Sequence, residues 1–161
     1  MILIQVVTKF PRAPRRLDII FPRNPVYFVT CCTYRRRPRL ANDPVHEAFV
    51  RFGKLAQNDF GIAVGRYVIL PDHLHFFVAL PDDIRLGGWV GTFKRVLTRS
   101  LESSGSGDPI WQRGFFDHVL RSQESYSEKW NYVRENPVRA GLVKNADDWP
   151  FCGEIVNIYF D

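Results

Sequence analysis

A turn followed by an alternating apolar run, PDHLHFFV at residues 71–78, restricts this part of the chain to a strand. Pro-Asp is typical of a turn, and successive side chains of a strand point to opposite faces of the sheet. His73 and His75 therefore share one face, while Leu74 and Phe76 occupy the other. Two imidazoles side by side on a sheet can bind one divalent metal ion, although such a pair also arises by chance on exposed strands.

The rest of the chain alternates between segments typical of strands and of helices. The predicted strands are rich in β-branched and aromatic residues, and the predicted helices carry apolar residues at helical spacing. Strands are predicted at residues 26–33, 62–70, 73–80 and 115–120, and helices at 43–56, 89–101 and 125–136. Strand, helix, hairpin, helix, strand is the order of a ferredoxin-like α+β sandwich, an antiparallel sheet with helices on one face.

Length and composition favour a single domain over residues 1–161. With 161 residues and 45% hydrophobic content, the chain can build a real core. Residues 1–24 are expected to form an arginine-bearing arm or edge segment, in which 17–21 could add a strand, and residues 144–161 a C-terminal tail. The formal net charge of +5 favours a polyanionic partner, but charge alone does not identify DNA.

The cysteines and the first residues of the chain bear on its location. Three cysteines without Cys-x-x-Cys spacing predict neither a disulfide framework nor a structural zinc site, and buried thiols are expected. The opening residues lack a basic leader, and no apolar run approaches the roughly 20 residues that cross a membrane. We therefore expect a cytoplasmic protein with no membrane partner.

A second candidate feature is the predicted helix that stops at Pro137. Tyr132 and Asn136 are four residues apart and share a helix face, so they could supply a phenol nucleophile and an amide oxygen ligand for Mg or Mn. The alternative is that Tyr132 is an ordinary half-buried aromatic. Tyr126 is a rival nucleophile, but it lies six residues earlier and projects from a different face of the helix.

Four motifs in order give the chain a family resemblance. They are VILPDHLH at 68–75, WQRGFFDH at 111–118, YVRENPVRAGLV at 132–143 and DWPF at 148–151. Over residues 15–151 the chain resembles the HUH-type single-strand DNA transposases with one catalytic tyrosine, and most closely the REP-associated tyrosine transposases. The resemblance implies the same ferredoxin-like fold.

The resemblance also implies an activity. It is a metal-dependent, sequence-specific endonuclease and strand transferase that acts on single-stranded or hairpin DNA through a 5′-phosphotyrosine. The family nucleophile corresponds to Tyr132, and His73, His75 and Asn136 correspond to the ligands of Mg or Mn. Many insertion-sequence relatives have Gln where this chain has Asn136, so the third ligand is the least certain of the set. A monomer or a homodimer is compatible with the sequence. The resemblance slightly favours the monomer, because the tyrosine helix has no long linker that would suggest its exchange between subunits.

Basic residues are predicted to hold DNA phosphates, although charge runs are often only solvated. The predicted DNA-binding residues are Arg35, Arg36, Arg37, Arg39, Lys94, Arg95 and Arg99. His118 has either a structural or a DNA-facing role, and Asp72 either orients an imidazole or serves only the turn.

Two other classes of protein remain open from the sequence. A noncatalytic module could bind DNA or RNA on the same kind of sheet, but it would not need both histidines. A metal-free phosphoesterase would need two separate His-x-Thr or His-x-Ser motifs, whereas this chain has a single His-x-His.

Overall fold

The computed structural model describes residues 2–6, 25–101 and 107–160 of the chain. The strands are β1 Ile2–Val6, β2 Val26–Cys32, β3 Ala63–Ile69, β4 His73–Ala79, β5 Phe116–Leu120, β6 Cys152–Glu154 and β7 Val156–Phe160. The α-helices are α1 Asp43–Phe60, α2 Leu86–Ser100, α3 Gln123–Arg134 and α4 Asn136–Arg139. Two short 3-10 helices, Tyr34–Arg36 and Ala146–Asp148, complete the described elements.

The central sheet has five antiparallel strands in the order β5-β2-β4-β3-β6. The units β2-α1-β3 and β4-α2-β5 supply four of these strands and two helices, which is the ferredoxin-like arrangement. This confirms the predicted α+β fold class. β1 pairs with β7 in a separate two-stranded antiparallel sheet.

Helices cover the two faces of the central sheet differently. Phe76 on β4 packs against Phe49 of α1 and Phe93 of α2, with ring centroids 5.9 and 5.0 Å apart. The next residue, Phe77, points to the opposite face and packs against Tyr126 of α3 at 4.5 Å. α1 and α2 thus share one face, and α3 lies on the other, because adjacent strand residues alternate.

Local signals in the sequence account for where the helices begin and end. The Asn42 side chain accepts a hydrogen bond from the Val45 backbone N–H at 3.1 Å and caps α1, whose end is closed by Gly61 at φ 65°. Ser122 and Ser125 cap α3 reciprocally. α3 ends at Arg134, and Pro137 occupies the first turn of α4, so the predicted stop is a break between two helices.

The C-terminal residues, which were expected to form a tail, are part of the folded core. β6 extends the central sheet next to β3, and Ile155, Val156 and Ile158 are buried. A Cβ added at Gly53 would lie 2.5 Å from the Ile155 side chain, so α1 packs closely against this segment. The apolar side chains of Ile155, Val156 and Ile158 are the physical reason, because burial removes them from water.

Some expectations for the arm lie outside the described residues. They are the arginines Arg12, Arg15, Arg16 and Arg23 and the strand at 17–21. Among the helices that the structure describes, none is both long and apolar enough to span a lipid bilayer.

Candidate active site

The two histidines of β4 lie on the sheet face that α3 crosses. β4 pairs with β2 so that Cys32 is opposite His73 and Thr30 is opposite His75. The two imidazole centroids are 4.9 Å apart with ring planes at 84°. Strand alternation therefore brings the rings together as the sequence pattern predicts.

Hydrogen bonds occupy the same nitrogen in both rings. Nδ1 of His73 lies 2.7 Å from Oδ1 of Asp72, and Nδ1 of His75 lies 2.8 Å from Oγ1 of Thr30. When each Nδ1 donates its proton to these oxygens, each Nε2 keeps a free lone pair. Such outer partners orient metal-binding imidazoles, so Asp72 and Thr30 fit that role.

Burial and neighbouring charges shift the pKa values of His75 and Asp72. Burial lowers the pKa of His75 to about 3, helped by the positive charges of the neighbouring Arg36 and Lys129. Burial acts to raise the pKa of Asp72, but hydrogen bonds from His73 and Arg36 outweigh it and the net shift is downward. The site therefore favours a neutral His75 beside an ionised Asp72.

Arg36 is built into the site in a way that the sequence did not indicate. Its Nε donates to Oδ2 of Asp72 at 2.8 Å, and its Nη1 donates to the Cys32 sulfur at 3.0 Å. Nη2 lies 3.3 Å from Nδ1 of His73. The guanidinium thus holds the Asp72 carboxylate against the histidine ring.

The backbone at Arg36 adopts a conformation that only a few residues favour. Arg35 and Arg36 have φ of 52° and 54°, in the left-handed region where a side chain crowds the backbone. Each such residue costs on the order of 1–3 kcal/mol, and the structure around it must offset that cost. The contacts of Arg36 with Asp72 and Cys32 supply part of that compensation.

α3 is fixed to the sheet by a different tyrosine from the predicted nucleophile. Tyr126 is 1% exposed, its ring packs on Phe77, and its hydroxyl lies 3.5 Å from the backbone N of Arg66. Burial raises its pKa above the ordinary value. Tyr126 is therefore a core residue, which removes the structural case for the rival nucleophile.

Tyr132 lies on a different side of α3 and is 63% exposed. The side of α3 that faces the histidines is marked by Lys129, whose Nζ lies 5.3 Å from the ring centroid of Phe28. Phe28 in turn stacks on His75 at 5.3 Å. Tyr132 follows Lys129 by three positions and lies on the adjoining part of α3, whereas Asn136 lies beyond the break, at the first position of α4.

Arg139 contacts both Tyr132 and Asn136, the two residues predicted to act in the site. Its guanidinium carbon lies 4.1 Å from the ring centroid of Tyr132, and Nη2 donates to the Asn136 amide oxygen and to the Tyr132 carbonyl oxygen. The oxygen predicted to bind metal is thus hydrogen-bonded to Arg139. Sequence reasoning missed Arg139, although its position three residues after Asn136 was a usable signal.

The donor atoms near the histidines limit which metal site can form. Within the described residues, no group of three or more His, Cys, Asp or Glu side chains could hold a metal ion. His118 is exposed on β5 opposite Phe28 and does not join the pair. A third protein ligand would therefore have to be a different group, such as the Asn136 amide.

The predicted DNA-binding residues are divided by the fold. Arg35 is exposed near the site with its guanidinium over the Tyr34 ring, whereas Arg37 pairs with Asp108 at 2.7 Å. Lys94 is partly buried and donates to the carbonyl oxygens of Gln112 and Gly114, so it fixes the 111–114 segment. Arg95 and Arg99 belong to α2 on the other face of the sheet. For all of these residues, DNA contact stays a prediction.

A ferredoxin-like sheet with a His-x-His pair, and a tyrosine-bearing helix on the same face, agrees with the resemblance of the sequence to HUH-type transposases, which are enzymes. The chain belongs to the IS200-like transposase family, whose model matches residues 24–136.

Similar proteins of known identity indicate which branch of the transposase family the chain resembles. The chain is 31% identical over 97 residues to the REP-associated tyrosine transposase of Escherichia coli, covering 59% of this chain and 56% of that protein. It is 25% identical over 142 residues to a Haemophilus influenzae protein provisionally given the same name, covering 81% and 80%. A solved REP-associated tyrosine transposase bound to a REP hairpin superposes with a TM-score of 0.61 at 27% identity, covering 80% of this chain and 76% of that one.

Proposed function

We propose that this protein is a metal-dependent, sequence-specific endonuclease and strand transferase for single-stranded DNA next to a REP-like hairpin. The observation that carries the proposal is the pair of imidazoles on β4, each held through Nδ1, on the sheet face that α3 crosses. Tyr132 is exposed on α3, and Asn136 begins α4 directly after it. The E. coli relative and the hairpin-bound structure support the choice of substrate.

Chemistry at the site would exchange one phosphodiester for another. The Tyr132 oxygen attacks phosphorus and loses its proton to solvent, a bond forms between that oxygen and the 5′ phosphate, and the bond from phosphorus to the 3′ oxygen breaks. The 3′ oxygen leaves and takes up a proton. Because the ester bond is kept as a phosphotyrosine, attack by another 3′ hydroxyl can rejoin DNA without ATP.

The residues of the chain supply position and charge for this exchange. A divalent ion such as Mg or Mn, bound by His73, His75 and the Asn136 amide, would polarise a non-bridging phosphate oxygen. The amide oxygen suits such an ion, and the imidazole nitrogen is the commonest protein ligand of metal ions in general. Arg139 lies over the Tyr132 ring and also bonds to the Asn136 amide oxygen, so it holds the positions of these two groups relative to each other.

Cleavage should require a single-stranded linker beside the hairpin. A duplex keeps the scissile nucleotides stacked and paired, whereas the attacking tyrosine needs an accessible phosphate. In a gel assay with Mn, an oligonucleotide with a hairpin and an unpaired linker should be cut. The same oligonucleotide annealed to a complement of the linker should stay intact. Equal cutting of both would contradict the proposal.

Two arginines close to the Asp72 turn, the exposed Arg35 and the partly buried Arg39, should contribute to binding through phosphate contacts. Replacing Arg35 and Arg39 with Ala should weaken hairpin binding and lower the log-log salt slope by roughly one unit for each lost contact. Arg36 is left intact because it holds Asp72 and His73. The matched control is the exposed Arg51 and Lys54 pair on α1, on the other face of the sheet and outside the predicted DNA-binding set, at which the same change should leave the slope unaltered. A slope equal to wild type in the Arg35 and Arg39 variant would mean that these residues are only solvated surface.

A further inference from the structure

The edge strand β5 carries a bulky apolar side chain that the fold does not use. Phe116 is 65% exposed, although phenylalanine is among the residues most often buried in proteins. β5 lies at one edge of the central sheet and, among the described strands, pairs only with β2. An exposed aromatic ring on a sheet edge is an aggregation hazard unless it serves a partner.

Strand register puts this ring on the face of the catalytic histidines. Thr30 of β2 is opposite His75 on one side and opposite Phe116 on the other. Residues paired directly across neighbouring strands point to the same face. His75, Thr30 and Phe116 therefore form one row across the sheet, with Phe116 two strand spacings, roughly 9.5 Å, from His75.

The surroundings of the row suit a nucleic acid. Lys129 of α3 lies over the Phe28 ring on this face, and His118 is exposed opposite Phe28. The nearest acidic side chain along β5, Asp117, alternates to the other face. An aromatic face beside positive charge is the usual platform for a base of single-stranded DNA, because every base can stack on a ring.

We infer that Phe116 is a stacking platform for one unpaired base of the DNA linker whose phosphate lies at the histidine pair. This inference rests on the proposed function and adds a residue that sets where the linker lies. A base held two strand spacings from the metal-binding row would fix the distance between the hairpin and the cut. Phe116 is thus a positioning residue for the scissile phosphate.

The test is a double-mutant cycle between the ring and the bases of the linker. Binding of the wild type and of Phe116→Leu is measured by fluorescence anisotropy, in EDTA, on hairpins that carry an abasic site at each linker position in turn. Phe116→Leu should weaken binding to the intact hairpin about tenfold. At one linker position the abasic site should lower the hairpin affinity of the wild type by a similar factor. The same abasic site should cause no further loss of affinity in Phe116→Leu.

Two variants control for changes in fold and in surface apolarity. Phe116→Trp keeps a stacking ring and should bind as tightly as wild type. Phe60→Leu removes a ring of matching exposure, 64%, on α1 at the other face of the sheet, and should leave DNA binding unchanged.

Several results would overturn the inference. One is a Phe116→Leu variant that binds the hairpin as tightly as wild type. Another is a loss of affinity from Phe116→Leu that is the same at every abasic position. A third is an oligomer in wild type that becomes a monomer in Phe116→Leu, as seen by size-exclusion chromatography. In each of these cases the wild type still cuts the hairpin, and the proposed function stands. A wild type that neither binds nor cuts hairpin DNA would overturn both.

Discussion

Tyr132→Phe is expected to abolish strand cleavage and the denaturant-resistant protein-DNA adduct, while hairpin binding survives. The substitution removes one oxygen and keeps the ring, and the side chain is 63% exposed, so the fold loses little. The Arg139 guanidinium also keeps its ring partner. Cleavage is measured on sequencing gels, the adduct by denaturing electrophoresis, and binding by anisotropy.

Tyr126→Phe is the matched control on the same helix. Tyr126 is buried on Phe77, and its hydroxyl makes only a long contact to the Arg66 backbone N. Its loss should lower the free energy of unfolding by about 1 kcal/mol and leave cleavage intact. Cleavage that persists in Tyr132→Phe and disappears in Tyr126→Phe would contradict the assignment of the nucleophile.

Removal of divalent metal is expected to have an equally large effect. Excess EDTA should reduce cleavage to background, and added Mn should restore it, because the two imidazoles alone cannot offset the charge on the phosphate. His73→Ala and His75→Ala should each reproduce the loss with Mn present. Mn binding to the protein alone, followed by calorimetry, should weaken in both variants.

The control for metal removal is DNA binding. Hairpin affinity should change little in EDTA, because the arginines predicted to contact phosphates, such as Arg35 and Arg39, are not metal ligands. Undiminished cutting in excess chelator would contradict a metal role for His73 and His75. Loss of cutting together with loss of all hairpin binding would contradict the separation of the two functions.

The parts that sequence reasoning predicted are those governed by local periodicity. Alternation in β4 required His73 and His75 to share a face, and the Pro71-Asp72 turn required a hairpin. Helical spacing separated Tyr126 from Tyr132, and the structure buries the former while exposing the latter. The order of the elements was enough to indicate the ferredoxin-like sheet.

What local pattern could not predict depends on contacts between distant segments. The run of arginines after β2 looks uniform in sequence, yet the left-handed backbone at Arg35 and Arg36 aims Arg36 at Asp72, 36 residues away. Lys94 similarly has helical neighbours in sequence but bonds to carbonyl groups of 112 and 114. Such roles follow from tertiary packing, which no short window of sequence contains.

The C-terminal segment illustrates the same limit. β6 is only three residues long and carries Gly153, so it lacks the pattern of a strand. It forms because β3 offers an edge that would otherwise stay unpaired. The exposed ring of Phe116 was likewise part of a motif in the sequence, but only the register with Thr30 relates it to His75.

The most direct test of the tyrosine mechanism is to locate the covalent bond. Trypsin separates the two tyrosines of α3, because Tyr132 lies in the peptide 130–134, WNYVR, and Tyr126 in the peptide 122–129, SQESYSEK. The protein is reacted with hairpin oligonucleotide and Mn, digested with nuclease and trypsin, and analysed by mass spectrometry. We predict residual nucleotide mass on Tyr132 in WNYVR. Nucleotide on SQESYSEK, or cleaved DNA with no modified peptide, would contradict the account.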